Sequence, residues 1–165
     1  MSLDKFEISK TSGIHYQLSL LEGNWEGTTK TWFEADQLGD ESPMQGNMKL
    51  ILDGRFILYE YNGTLAGKTF DGIAMIGYSF SKDKFQSAWI DSFHMGTGIM
   101  FSEGKNPDKL FSVLGNYGGG DMPEPWGWRT EIELPDRDTM LITAYNIAPS
   151  GEEAKATETV YKRRQ

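Results

Sequence analysis

Alternating apolar and polar residues run through most of the chain, and the pattern is clearest between residues 67 and 104. Successive side chains of a β-strand point to opposite faces, so a period of two predicts a strand with one buried face. The pattern predicts strands over about residues 68–80, 85–93 and 99–102, with the polar turn 81–84 between the first two. Three strands in succession with short turns are typical of one wall of an antiparallel barrel.

The second of these strands ends in a distinctive group of side chains. Trp89 and Asp91 share one face of the strand with Phe85 and Phe93, and His94 follows just beyond. An acid and an indole among otherwise apolar or small positions suggest an interior site at the end of a barrel wall.

The other segments repeat the pattern at the spacing of β-hairpins. Further strands are predicted at about residues 23–33, 44–52, 55–64, 109–117, 126–134, 139–147 and 152–163. Asp53-Gly54 is a strong hairpin signal, whereas residues 34–43 are expected to form an acidic loop and residues 118–125 a flexible one. About ten strands without βαβ alternation predict an all-β, antiparallel, up-and-down barrel, because closure leaves no strand edge exposed.

The N-terminal residues carry a different pattern. Apolar residues recur at helical spacing from residue 14 to residue 21, which predicts a short N-terminal helix that Gly23 ends. Residues 1–12 are polar and are expected to be flexible. The 165-residue chain shows no linker, so residues 13–165 are predicted to form a single barrel domain.

The composition of the chain mainly excludes certain classes of partner and site. The net charge is −8 and the basic run at residues 162–164 stands alone, so neither nucleic acid nor an anionic membrane is expected as a partner. The absence of Cys excludes disulfides and thiolate metal sites. No apolar run approaches the ~20 residues of a membrane span. The first residues lack the apolar core of a signal peptide, so a cytoplasmic location is expected.

Gly23-x-Trp25-x-Gly27 at the start of the first long strand is similar to the opening of calycin-type barrels. These include lipocalins, fatty-acid-binding proteins and nitrobindin-like haem barrels. The resemblance implies that Trp25 closes the barrel floor and that Arg163 or Lys162 from the last strand packs on its ring.

A narrower resemblance, to domain of unknown function 1579, a mostly bacterial family, covers about residues 18–163. The motifs that carry it are Gly54-Arg55-Phe56-Ile57-Leu58, Gly72 to Gly77-Tyr78, Trp89-Ile90-Asp91-Ser92, Arg129 and Tyr161-Lys162-Arg163. It implies a lipocalin-like barrel and no established activity. The chain departs from that family at residues 93–98 and in the loop 118–125, so the resemblance does not imply a shared ligand.

Asp91, Ser92 and His94 lie within four positions, a composition that brings a Ser-His-Asp triad to mind. Strand alternation argues against the triad, because Asp91 and Ser92 point to opposite faces and the chain has no Gly-x-Ser-x-Gly elbow. The two histidines, His15 and His94, are far apart in a chain without Cys, which does not favour a metal site. The resemblance to nitrobindin-like barrels implies a haem ligand near the C-terminal strands, whereas His94 follows the fifth strand, so a haem ligand is not favoured either. No metal and no cofactor are therefore expected.

The orientation of Arg129 is open in the sequence. If Trp128 faces water, Arg129 enters the barrel and needs a carboxylate partner, because a lone buried charge is very costly. Glu60, Asp91 and Glu158 are the candidate partners. If Trp128 faces inward, Arg129 faces water.

The sequence favours a protein that binds a small, hydrophobic or amphipathic molecule inside the barrel. The residues predicted to line or guard this site are Glu60, Trp89, Asp91, His94, Trp128, Arg129 and Tyr145. One alternative is a small barrel enzyme of the isomerase or hydrolase type, with Asp91 or Glu60 as general base and a Tyr or His94 as acid. Another is a filled-barrel module that forms a homodimer through Trp32 or the segment 118–128.

Overall fold

A computed structural model describes residues 3–165 of the chain, in which two short helices precede ten strands. The helices are α1 (Leu3–Ser12) and α2 (Ile14–Ser19). The strands are β1 (Gly23–Glu34), β2 (Gln37–Ile51), β3 (Phe56–Leu65), β4 (Lys68–Ser79), β5 (Lys84–Asp91), β6 (Met100–Gly104), β7 (Phe111–Tyr117), β8 (Trp126–Asp136), β9 (Thr139–Ile147) and β10 (Glu153–Arg163). Within the described part, neither helix is long and apolar enough to cross a membrane.

The ten strands form one closed barrel in which each strand is antiparallel to both neighbours. The ring closes between the first and last strands, where Trp25 lies opposite Arg163 and Thr31 opposite Thr157. The predicted all-β, up-and-down, lipocalin-like barrel with a short N-terminal helix is therefore confirmed. The location of the protein and its division into a segment 1–12 and a single domain 13–165 stay predictions.

Strand alternation sorts side chains to the inside as the sequence predicts. In β4, Phe70, Ala74 and Ile76 are buried, whereas Ile73 and Met75 between them are exposed. In β1, the alternating sequence predicts Trp25, Gly27, Thr29, Thr31 and Phe33 on one face, but Phe33 at the far end is 58% exposed. The cause is a register shift against β2 that begins after residue 31 and interrupts the alternation.

Residues 34–43 do not form the expected loop. The strands continue into a tight hairpin instead, and Asp36 takes a left-handed conformation with φ of 61° at its tip. Asp tolerates this conformation better than most residues. Pairing extends along β2, where Asp40 lies opposite Thr31 and Leu38 opposite Trp32, so ladder hydrogen bonds outweigh the loop-like composition.

Residues 1–12, which we expected to be flexible, are helical from residue 3 onwards, and Met1 and Ser2 lie outside the described residues. Helix α1 is anchored by a single aromatic side chain rather than by an apolar stripe. Phe6 is only 1% exposed, and the guanidinium of Arg55 lies 4.2 Å from the centre of its ring. The other buried residue among residues 4–12, Ser9, is polar, so these residues carry no apolar period, which explains why the pattern did not predict this element.

The helical end of the barrel is closed by Trp25, which is fully buried and donates its indole N–H to the carbonyl of Leu21 at 3.0 Å. The guanidinium of Arg163 lies 4.2 Å from the centre of the Trp25 ring, which confirms the expected packing. Arg163 also donates to the carbonyl oxygens of Leu20 and Glu22. Because Trp25 and Arg163 close the helical end of the barrel, we infer that a molecule enters the interior from the opposite end.

Candidate functional site

The barrel encloses a cavity of about 120 Å³. Hydroxyl groups line two opposite sides of its wall, with Thr29, Thr31, Thr157 and Thr159 on β1 and β10 and with Ser87 and Ser102 on β5 and β6. Aromatic and aliphatic side chains cover the rest, among them Tyr59, Tyr61, Phe70, Ile76, Phe111 and Ile132. Within residues 3–165, no Lys, Arg, Asp or Glu side chain lines the cavity. The interior therefore suits an uncharged molecule that is mostly apolar.

Three side chains, Trp89, His94 and Trp128, close the open end of this cavity, and we call them the aromatic gate. The two indoles stack with ring centres 5.6 Å apart and planes inclined by 19°. The imidazole packs against both, at 5.5 Å from Trp89 and 5.9 Å from Trp128. All three also line a groove of about 220 Å³. The aromatic gate thus separates the interior cavity from an open groove at the mouth.

The loop that carries His94 is folded by Asp91, the last residue of β5. Oδ1 of Asp91 accepts hydrogen bonds from the amides of Phe93 at 3.0 Å, His94 at 2.5 Å and Met95 at 3.4 Å. An Asp side chain that accepts from amides a few residues ahead stabilises a tight turn. This turn directs the chain back over the mouth and places the imidazole against the two indoles.

The other carboxylate oxygen of Asp91 joins the aromatic gate to the barrel wall. Oδ2 accepts from Nδ1 of His94 at 2.5 Å and from the hydroxyl of Tyr61 at 3.1 Å. The same hydroxyl accepts from the indole N–H of Trp89 at 2.7 Å. Asp91, whose side chain is fully buried, thus holds two of the three gate residues, one directly and one through Tyr61.

The contact between Tyr61 on β3 and Asp91 on β5 depends on a glycine in the strand between them. Gly72 lies opposite Tyr61 on one side and opposite Asp91 on the other. A Cβ atom at position 72 would lie 2.0 Å from Cζ of Tyr61, so a larger residue could not share this space. Glycine allows the phenol ring to lie across β4 and reach the carboxylate.

The protonation states of this network follow from its surroundings. Burial by itself raises the pKa of Asp91, but the hydrogen bond and charge of His94 and the amides of His94 and Phe93 outweigh it and hold that pKa below its usual range. Burial, followed by the nearby Asp91 carboxylate, raises the pKa of Tyr61 well above its ordinary value. Asp91 is therefore an ionised acceptor and Tyr61 a neutral donor at neutral pH.

Of the seven residues predicted for the site, the structure brings together Trp89, Asp91, His94 and Trp128 at the mouth. The other three point away from the interior. Glu60 is exposed on the outer face of β3, between inward-facing Tyr59 and Tyr61.

Arg129 lies on the outer face of β8, because its neighbours Trp128 and Thr130 line the cavity. Its guanidinium donates to Glu131 at 3.0 Å and to Glu153 at 2.5 Å, and it lies 4.5 Å from the ring centre of Tyr145. Of the two orientations left open by the sequence, the structure shows the outward one, to which the interior partners Glu60, Asp91 and Glu158 do not apply. An outward guanidinium needs no interior counter-charge, and acids on the same outer surface supply its ion pairs.

Two features of the site were missed in the sequence. Tyr61 was not among the residues predicted for the site, although it hydrogen-bonds with both Trp89 and Asp91. The hydroxyl groups that line the cavity were not recognised, although alternation already placed Thr29 and Thr31 on the same face of β1 as Trp25. Small hydroxyl residues at inward positions of successive strands are the signal that could have found it.

Comparison with known proteins places this geometry in context. Residues 10–163 match a family described as "Protein of unknown function (DUF1579)". Among solved structures, the chain is similar to an S-type phycobiliprotein lyase from Guillardia theta, with a TM-score of 0.59 and 9% sequence identity over 96% of this chain and 97% of that chain. No curated protein matched the sequence. At this identity the structural likeness extends to the fold alone.

Proposed function

The chain belongs to the DUF1579 family of proteins of unknown function, and we propose that it binds a small, uncharged, largely apolar molecule inside its barrel. The observation that carries the proposal is the interior cavity closed by the aromatic gate. Small-molecule sites are typically concave and mostly apolar, with a few polar groups that fix orientation. The phycobiliprotein lyase shares only the fold, so the proposal rests on this cavity.

The size and charge of the cavity restrict the ligand. An apolar protein cavity of about 150 Å³ holds benzene, so the 120 Å³ available here suits a single ring or a short chain. A larger molecule would have to extend through the aromatic gate into the groove at the mouth. A charged ligand is disfavoured, because a buried charge without a partner is very costly and no Lys, Arg, Asp or Glu of the described chain lines the cavity.

Titration with toluene, followed by NMR of methyl groups, tests the proposal. We expect the methyl resonances of Ala74, Ala144 and Met100, which line the cavity, to shift with saturation. The methyl of Ala88, which lies on the outer face of β5, is the control and should not move. Absence of shifts at the interior methyls up to the solubility limit of toluene would contradict the proposal.

A second candidate function, acid–base catalysis, is favoured by the contact between His94 Nδ1 and Asp91 Oδ2 at 2.5 Å. A carboxylate that orients an imidazole is a recurring arrangement for a general base. His94 would be the base, since Asp91 is fully engaged and Glu60 lies outside. Ser92 is not placed to act as a nucleophile, because its hydroxyl accepts from the amide of Asp71 on the outer side.

Deuterium exchange tests this catalytic candidate without knowledge of the natural substrate. Cyclopentanone in D₂O exchanges the protons beside its carbonyl when a base removes them. If His94 acts as a base, the wild type should accelerate this exchange at least tenfold over His94→Gln. Equal rates in the two proteins would remove the support for catalysis and leave the binding proposal intact.

The cavity argues against the third alternative, a filled-barrel interaction module, because the interior is not fully packed. Homodimer formation stays a prediction.

A further inference from the structure

Most polar atoms around the aromatic gate are hydrogen-bonded to one another or to the backbone. The indole N–H of Trp89 is donated to Tyr61, and the hydroxyl of Tyr61 is donated to Asp91. Oδ1 of Asp91 faces backbone amides, and Oδ2 is shared by Tyr61 and His94. A bound molecule therefore finds no free donor or acceptor on these three side chains.

Two polar atoms of the aromatic gate have no hydrogen-bond partner among residues 3–165: Nε1 of Trp128, which can only donate, and Nε2 of His94. Nδ1 of this ring faces Oδ2 of Asp91 at 2.5 Å, and a carboxylate can only accept, so Nδ1 carries the hydrogen. In the neutral imidazole, Nε2 then has a lone pair and acts only as an acceptor. Among residues 3–165 it has no hydrogen-bond partner, and no fully buried polar side-chain atom in that range lacks one. Nε2 therefore borders open space.

The position of this atom gives it access to a ligand. His94 lines both the interior cavity and the groove at the mouth. Because Asp91 holds the Nδ1 edge of the ring, the opposite edge is the one that a bound molecule can reach. The rings of Trp89 and Trp128 flank the same point, so an aromatic ligand could pack against them within the 120 Å³ available.

We propose that the ligand is a small phenol-like molecule, a single aromatic ring whose hydroxyl group donates a hydrogen bond to Nε2 of His94. This inference rests on the proposed function and specifies the ligand for the same cavity. The hydroxyls of Thr29, Thr31 and Ser87 do not compete in this selection, because a Ser or Thr hydroxyl can donate or accept and so discriminates little. A carboxylate is disfavoured by the acceptor at Nε2 and by the negative charge of Asp91 behind it.

Comparison of two probes, p-cresol and toluene, tests the inference. The probes differ by one hydroxyl, and their dissociation constants can be measured by calorimetry at pH 8 for the wild type and His94→Phe. A neutral hydrogen bond gained on binding predicts that the wild type binds p-cresol about five- to tenfold tighter than toluene. His94→Phe keeps a flat ring without an acceptor, so it should bind p-cresol no better than toluene.

A measurement on the wild type alone guards against a variant that fails to fold. The ¹⁵N chemical shift of Nε2 reports whether its lone pair accepts a hydrogen bond. It should move on saturation with p-cresol and stay nearly constant on saturation with toluene. Equal affinities for the two probes, or a shift of Nε2 that does not distinguish them, would overturn the inference and leave the proposed function standing. Failure of both probes to bind would overturn the proposed function as well.

Discussion

Replacing Asp91 by Ala is expected to lower the free energy of unfolding by about 3 kcal/mol, because removal of one partner from a buried ionic network leaves the others unsatisfied. The side chain is fully buried. Its loss would strip the acceptor from the amides of Phe93 and His94, from the hydroxyl of Tyr61 and from the imidazole. The segment 92–99 should then lose its anchor and the aromatic gate its fixed geometry.

Urea denaturation of the wild type and Asp91→Ala measures this loss, and Asp71→Ala provides the matched control. Asp71 is exposed on neighbouring β4, so its replacement should change the free energy of unfolding by no more than about 0.5 kcal/mol. Asp91→Asn keeps an oxygen for the amides and should fall between the two. A change below about 1 kcal/mol in Asp91→Ala would show that the network does not hold the mouth together.

The same network predicts a dependence of stability on pH. The pKa of Asp91 is lower in the folded protein than the ordinary value of about 3.9 for an unfolded chain. The folded state therefore favours the ionised carboxylate, and the stabilisation is fully present above that ordinary value. It is lost as the pH falls through the lower folded pKa. The difference in stability between the wild type and Asp91→Asn should accordingly shrink as the pH falls below about 4.

The barrel could be predicted from the sequence because the patterns that specify its strands and turns lie within short segments of the chain. Each strand carries a period of two, and turns such as Asp53-Gly54 separate the strands at hairpin spacing. The exceptions are elements that depend on partners distant in the chain. Helix α1 is anchored by the contact between Phe6 and Arg55, which is distant in the chain. The β1–β2 hairpin is extended by pairing between its two strands. Neither cause can be recognised in a local sequence pattern.

The candidate site was predictable where it lies at a strand end and not where it depends on register. Asp91 and His94 stood out because a strand of alternating pattern ends in them. The orientation of Arg129 was left open, although the apolar residues Trp128 and Ile132 on the other face of β8 already favour the outward orientation that the structure shows. Tyr61 was missed because it reaches Asp91 across Gly72, which requires knowledge of two pairings at once.

Replacing Ala144 by Phe is expected to abolish binding of toluene, with a loss of affinity of at least about a hundredfold. Ala144 is 3% exposed and lines the cavity, and its neighbours across β8 and β10 are Thr130 and Thr157. These neighbours are small, so a phenyl ring at position 144 would extend into the space that the ligand needs. Its size is close to that of benzene, which an apolar cavity of about 150 Å³ just holds. The added ring can cost about 1–3 kcal/mol of stability if it is strained.

The affinity of toluene for the wild type, Ala144→Phe and Ala88→Phe is the measurement that tests the central claim most directly. Ala88 lies on the outer face of β5, so Ala88→Phe adds the same ring without entering the cavity. Circular dichroism would first establish that both variants are folded. If the interior is the binding site, Ala88→Phe should bind toluene as the wild type does and Ala144→Phe should not bind it. Equal affinity in the wild type and folded Ala144→Phe would contradict the claim that this barrel holds its ligand inside.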